Sequence, residues 1–189
     1  MNKTLAILIP LIIVGILVVG AFGVYNALVS AQEEARTAWA QVENQYQRRA
    51  DLIPNLVETV KGYAKQERDV LEEITRLRSQ WGEARNAKDI NKSLQAAQGL
   101  ESALSRLMVV VERYPELKSN QNFLKLQDQL EGTENRISVE RRRYNQAVMN
   151  YNKKIRTFPG VLFANLFGFE RMPLFEAEAS AKKVPTVKF

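Results

Sequence analysis

The sequence predicts an all-α protein, with an N-terminal transmembrane helix followed by a long antiparallel up-and-down four-helix bundle. Three observations carry this. Leu5 to Val24 is 20 consecutive residues without a charge, about 30 Å as a helix, which matches the hydrocarbon thickness of a bilayer. From Leu28 to Phe158 apolar residues recur at alternating three- and four-residue steps, the mark of amphipathic helices. Alternation at period two, which a half-buried strand needs, is absent.

Taken in order, residues 1–4 are a short flank and residues 5–24 the membrane helix. A cleaved signal peptide has a shorter apolar core, although Val29-Ser30-Ala31 would pass as a cleavage site. A buried core helix rarely stays apolar on every face over this length. A retained anchor is therefore expected. Lys3 precedes it, and the first cation after it is Arg36. Because positive residues near an anchor stay inside, the bundle is expected outside the cytoplasm.

Residues 25–157 form the expected bundle. The first stripe runs Leu28, Ala31, Ala35, Ala38, Val42 and Gln45, starting so soon after the anchor that one helix can serve both. The second runs from Ile53 through Leu56, Val60, Tyr63, Glu67, Val70, Ile74 and Leu77 to Trp81 and Ala84. The third reads Ala97, Leu100, Leu104, Leu107, Val111 and Tyr114. The fourth runs from Phe123 through Leu130, Thr133, Ile137, Glu140 and Tyr144 to Tyr151. Asn86 to Lys92 and Tyr114-Pro115-Glu116 are expected turns, and Asn120 offers an N-cap ahead of Phe123. Pro54 disfavours helical geometry at Ile53, yet a seven-residue step passes straight through it, so this is either a sharp turn, the reading preferred for the helix count below, or only a kink in one very long helix. Four helices of roughly 25, 34, 23 and 38 residues result, and short connections make neighbours antiparallel. The last, Ser119 to Arg156, exceeds its expected partner Ala87 to Arg113 by about 17 Å. That surplus, bearing Tyr144 and Tyr151, invites another subunit or a membrane.

Residues 158–189 form a different region. Phe158 to Phe175 holds five of the eight Phe, while Pro159, Gly160, Gly168 and Pro173 limit any helix to about two turns over Val161 to Phe167. This arm either packs back on the bundle, dips into lipid, or meets another copy. Tyr144, Tyr151, Phe163, Leu166, Phe167 and Phe169 are the candidate oligomer or lipid contacts. The end, Ala177 to Phe189, reads as a loose tail.

The chain has no Cys and no His, which excludes thiol chemistry, disulfides and the usual nitrogen or sulfur metal sites. No catalytic, metal or cofactor-binding residue is assigned. The net charge of +6 lies within Arg136 to Arg156, where seven cations face Glu140 alone. Of Arg141-Arg142-Arg143, Arg142 points farthest outward, and the flanking pair can straddle carboxylates on facing helices. Nucleic acid is a poor partner, since the basic charge sits on one element and no recognised motif appears. Glu67 holds a seam position in an apolar run, where a carboxylate must be paired or protonated. With Arg49, Thr133 and Glu140 it makes a candidate buried polar layer that fixes register. Gly62 and Gly99 suggest close helix crossings.

Four stretches resemble a known family: Gln45 to Ala64, Tyr114 to Leu130, Glu131 to Asn145 and Phe158-Pro159-Gly160. The Tyr25-Asn26 pair after the anchor, Gly168-Phe169 and the closing Pro185-Thr186-Val187-Lys188-Phe189 are similar too. Together they look like the LemA family of bacterial membrane proteins, and the likeness covers nearly the whole chain. Gln66 stands where the family usually has His, and Glu140 where it usually has a small residue. The resemblance implies a single-pass membrane protein with a soluble antiparallel four-helix bundle and no settled activity. It also implies a setting of envelope organisation, since members are similar to a protein that builds magnetosome membranes and are often encoded beside membrane metalloproteases, which makes such a protease a candidate partner. The expected function is that of a self-assembling, non-enzymatic envelope scaffold. The alternative is a lipid-binding or membrane-remodelling protein using the Phe-rich arm and the basic fourth helix.

Overall fold

The computed structural model describes residues 3–175, with side chains from Leu8 onward. The tail expected from Ala177 lies outside the described residues. Within them the chain is helical, without a strand: α1 (Lys3–Tyr63), α2 (Arg68–Asn86), α3 (Ile90–Val111), the short α4 (Pro115–Lys118), α5 (Gln121–Lys154) and α6 (Gly160–Phe167). The chain divides into two compact units. One comprises the residues up to Ala38 with Arg143–Leu174, and the other Trp39–Arg142 with Phe175.

The larger unit is the four-helix bundle. Arg78 reaches Ala50 and Arg85 reaches Gln47, so α2 runs antiparallel to α1. Glu73 pairs with Arg106 at 2.6 Å, while Gly99 lies against Leu77, which sets α3 antiparallel to α2. Tyr63 meets Asn120 and Tyr46 meets Arg141, so the first part of α5 runs back along α1. Ile53, Leu56, Val60, Leu71, Ile74, Leu100, Leu107, Phe123 and Leu130 from all four helices share one core. Each such side chain contributes about 1.5–3 kcal/mol by leaving water. The turns carry local caps. Asp89 Oδ1 accepts from the Lys92 amide at 3.0 Å. Asn120 Oδ1 accepts from the amides of Asn122 and Phe123 at 2.9 and 3.1 Å. Pro115 opens α4 at its first turn, where a missing amide hydrogen costs nothing.

Of the two readings at Pro54 the preferred turn is not there, and one long helix runs through it. α1 continues to Tyr63, and the reversal falls between Ala64 and Glu67, so the second helix begins at Arg68. Pro54 is exposed, with its ring toward solvent. Its missing amide would orphan the Ala50 carbonyl one turn back. Arg78 Nε donates to that oxygen at 2.8 Å, which removes the main penalty of a helix-interior proline. Of the two glycines expected at close crossings, Gly99 is at one, since a methyl there would lie 2.9 Å from Leu77 Cδ2. Gly62 is not, because nothing lies within 4 Å of such a methyl.

The smaller unit contains the apolar stretch of α1. That stretch is long and apolar enough to cross a membrane, and none of it is buried. Beyond it Leu28 and Ala31 pack with Tyr151 and Ile155 of α5 and Ala164 of α6, with Phe163, Phe169 and Met172 around them. Gly160 admits α6 to this cluster, because a methyl on it would run into the Lys154 carbonyl oxygen. Gly168 ends α6 at φ 71°, a left-handed cap that glycine adopts without strain.

Candidate functional site

Two sets of residues invite a functional reading, one in each unit. In the bundle, Arg49 is buried and its guanidinium reaches Thr133 Oγ1 at 3.4 Å and the carboxylate of Glu134. Thr133, itself buried, donates to the Leu130 carbonyl at 2.7 Å. Two of the four candidate layer residues, Arg49 and Thr133, therefore meet. Glu67 does not join them. It lies in the turn before α2, where its Oε1 accepts from Arg113 and from the Tyr114 hydroxyl, each at 3.0 Å. That places it at one end of the bundle rather than on a helix seam, because the chain reverses just before it. Glu140 is half-buried and engaged.

A second buried group was only partly visible in the sequence. Arg141 donates to the Tyr46 hydroxyl, from Nε at 2.9 Å, and also binds the Glu101 carboxylate. Its guanidinium lies 4.9 Å from the Phe175 ring, and Phe175 stacks on Trp39 at 5.9 Å. Arg141 flanking the interface was expected from its helix phase, as was a facing carboxylate. Tyr46 gave no signal of its own, since an aromatic beside a seam reads as core. Burial raises the Tyr46 phenol to about 12, against the opposing pull of Arg141. Each of the two cations is paired with an acid, Arg49 with Glu134 and Arg141 with Glu101. Among the described residues no three acids are grouped to hold a metal ion.

In the smaller unit the residues expected as outward contacts divide. Tyr144 and Tyr151 are buried, which corrects their expectation as oligomer or lipid contacts. The arm folds back over them: the Tyr144 hydroxyl donates to the Pro173 carbonyl and that of Tyr151 to the Glu170 carbonyl, both at 2.8 Å. Asn152 adds two bonds to the Met172 backbone, at 2.9 and 3.1 Å. Burial pushes both phenols above their usual range. Phe163 and Phe169 are half-buried against the small core. Leu166 and Phe167 remain outside. The Phe167 and Phe169 rings meet Tyr25 edge-on at 5.0 and 6.0 Å, and Tyr25 directly follows the apolar run.

These features define a class: helical-bundle proteins whose first helix also carries a candidate membrane span. The family model described as "LemA family" matches residues 38–189, and the chain belongs to that family. It is similar to two proteins of Paramagnetospirillum magneticum, magnetosome proteins MamQ 2 and MamQ 1, each 28% identical over 186 residues, covering 86% of this chain and 68% of theirs. Protein LemA of Metamycoplasma hominis is 25% identical over 178 residues, covering 93% of this chain and 80% of that one.

Proposed function

We propose that this chain is a membrane-anchored structural or scaffold protein of the bacterial envelope, without catalytic chemistry of its own. One observation carries the reading: a single helix, α1, bears both the exposed apolar stretch and the first wall of the bundle core. Anchor and body are thus one element, as a protein that displays a surface at a membrane requires. The partly buried Arg–carboxylate pairs support this, because they are consumed in holding helices in register. The likeness to proteins named for the magnetosome supports a structural task at a membrane-bounded body.

In this reading the bundle stands on the extracytoplasmic side and assembles with copies of itself. Val109 on α3 and Leu124 and Val139 on α5 are exposed apolar positions that such copies would cover. Light scattering of the intact protein in mild detergent tests the assembly. The particle's protein mass should exceed one chain at micromolar concentration. A monodisperse single chain would overturn self-assembly.

A further inference from the structure

We propose that α6 and the basic end of α5 form a second, peripheral contact with the bilayer, selective for anionic phospholipid headgroups. The proposal rests on the reading of the α1 apolar stretch as a membrane span and adds a lipid site to it.

The position comes first. Tyr25 marks the end of the uninterrupted apolar run, and the Phe167 ring lies 5.0 Å from it. The C-terminal end of α6 therefore sits at the level where the span leaves hydrocarbon. α6 buries Gly160 and Ala164 toward Leu28 and Ala31. Its other side leaves Leu162 58%, Leu166 75% and Phe167 54% exposed, and Phe158 just before it is 80% exposed. Four large apolar side chains thus stand exposed within ten residues of one another, and such a concentration marks an interaction surface. Beside a span, a bilayer interface is there to receive them.

The charge comes next. α5 runs antiparallel to this part of α1, since Tyr151 feels Gln32 and Arg36 while Ile155 packs with Leu28 and Ala31. Lys153, Lys154 and Arg156 thus lie within about two helical turns of the bilayer boundary. Among the described residues none of the three is in an ion pair, whereas the nearby Glu33 is already taken by Arg36 at 2.9 Å. Glu34 and Glu170 are the remaining acids of this unit. Cations flanking an inserted apolar patch meet anionic headgroups, each worth about a fivefold change in partitioning. A second copy is the weaker occupant, because a two-fold pairing would bring like charges together.

The absence of Cys makes the test clean. Full-length protein carrying one nitroxide, at Leu166→Cys, Ile16→Cys or Gln129→Cys, is reconstituted in phosphatidylcholine vesicles with or without phosphatidylglycerol. Collision with oxygen and with a water-soluble nickel complex then reports depth. The Leu166 label should favour oxygen severalfold over the water-facing Gln129 label, and more so with phosphatidylglycerol. Combined Lys153→Gln, Lys154→Gln and Arg156→Gln should abolish the phosphatidylglycerol increment. A Leu166 label as aqueous as Gln129, with Ile16 deep in lipid, overturns the inference alone. An aqueous Ile16 label overturns the span reading instead. A Leu166 label shielded from both reagents and broadened by a neighbouring spin puts a second copy on the patch and overturns the lipid site. Equal depth with and without phosphatidylglycerol overturns the headgroup selectivity.

Discussion

Tyr46 couples one buried hydroxyl to the pH range over which the bundle survives. An unfolded tyrosine titrates near 10, whereas burial raises Tyr46 to about 12. Below about pH 10 both states keep the proton, and this residue adds no pH dependence. Between about 10 and 12 only the unfolded chain releases it, so stability falls as pH rises, by about 2–3 kcal/mol in all. Tyr46→Phe should be the less stable protein at pH 9, because Arg141 loses an acceptor, yet lose less on moving to pH 11. Urea midpoints at the two values decide this, and an equal drop in both proteins would refute it. Pro54 offers a second test at this scale. Arg78→Ala leaves the Ala50 carbonyl without its donor and should cost about 1–2 kcal/mol. In a Pro54→Ala background the restored amide re-bonds that carbonyl, so the same change should cost about 1 kcal/mol less. Additive losses would show that Arg78 does not compensate the proline. The sequence could not reveal this pairing, because the rescuing side chain comes from another helix.

At the scale of elements, the turn ahead of α3, the start of α5 and the extent of α6 were legible, since the polar run Asn86 to Lys92, Asn120, Gly160 and Gly168 act on their own neighbours. The reversal between α1 and α2 was not. Its heptad phase runs on through Tyr63, Glu67 and Val70, and no proline or glycine lies within Ala64 to Glu67. What holds the turn is remote: Arg113 and Tyr114, at the far end of α3, grip Glu67. The fate of the α5 surplus stayed open for the same reason, because its cover is the chain's own backbone returning from later in the sequence. Two glycines separate packing from propensity. Gly160→Ala meets backbone that cannot yield and should cost roughly 1–3 kcal/mol. Hydrogen exchange should then quicken from Ala164 to Phe169 while the α2 and α3 amides keep their protection. Gly62→Ala, with open space around it, should be neutral or stabilising by up to about 1 kcal/mol.

At the scale of the molecule, what a linear pattern displays is which residues face inward, and the all-helical class followed from that. Partner choice among buried polar groups depends on the order of helices in space, so Arg49 and Thr133 could be named as layer candidates while their meeting, like that of Arg141 with Tyr46, could not be read. Membrane sidedness belongs to this scale too. With Lys3 before the apolar run and Arg36 the first cation after it, a reporter enzyme active only outside the cytoplasm should work when fused after Phe189. Silence from that fusion, with a cytoplasmic reporter active at the same point, would reverse the assignment.

The fold-back of the arm bears on how the chain can drift in evolution. The hydrogen bonds described from Tyr144, Tyr151 and Asn152 to the arm end on main-chain atoms of Glu170, Met172 and Pro173. Main-chain atoms are the same whatever side chain they carry, so the fastening asks little of the residues it fastens. The burden of constancy falls on α5, and positions 170 and 171 are released to vary. A saturation scan read by protein abundance should find most residues accepted at 170 and 171, few at 151 and 152, and the inverse pattern would show that the arm is held by its side chains.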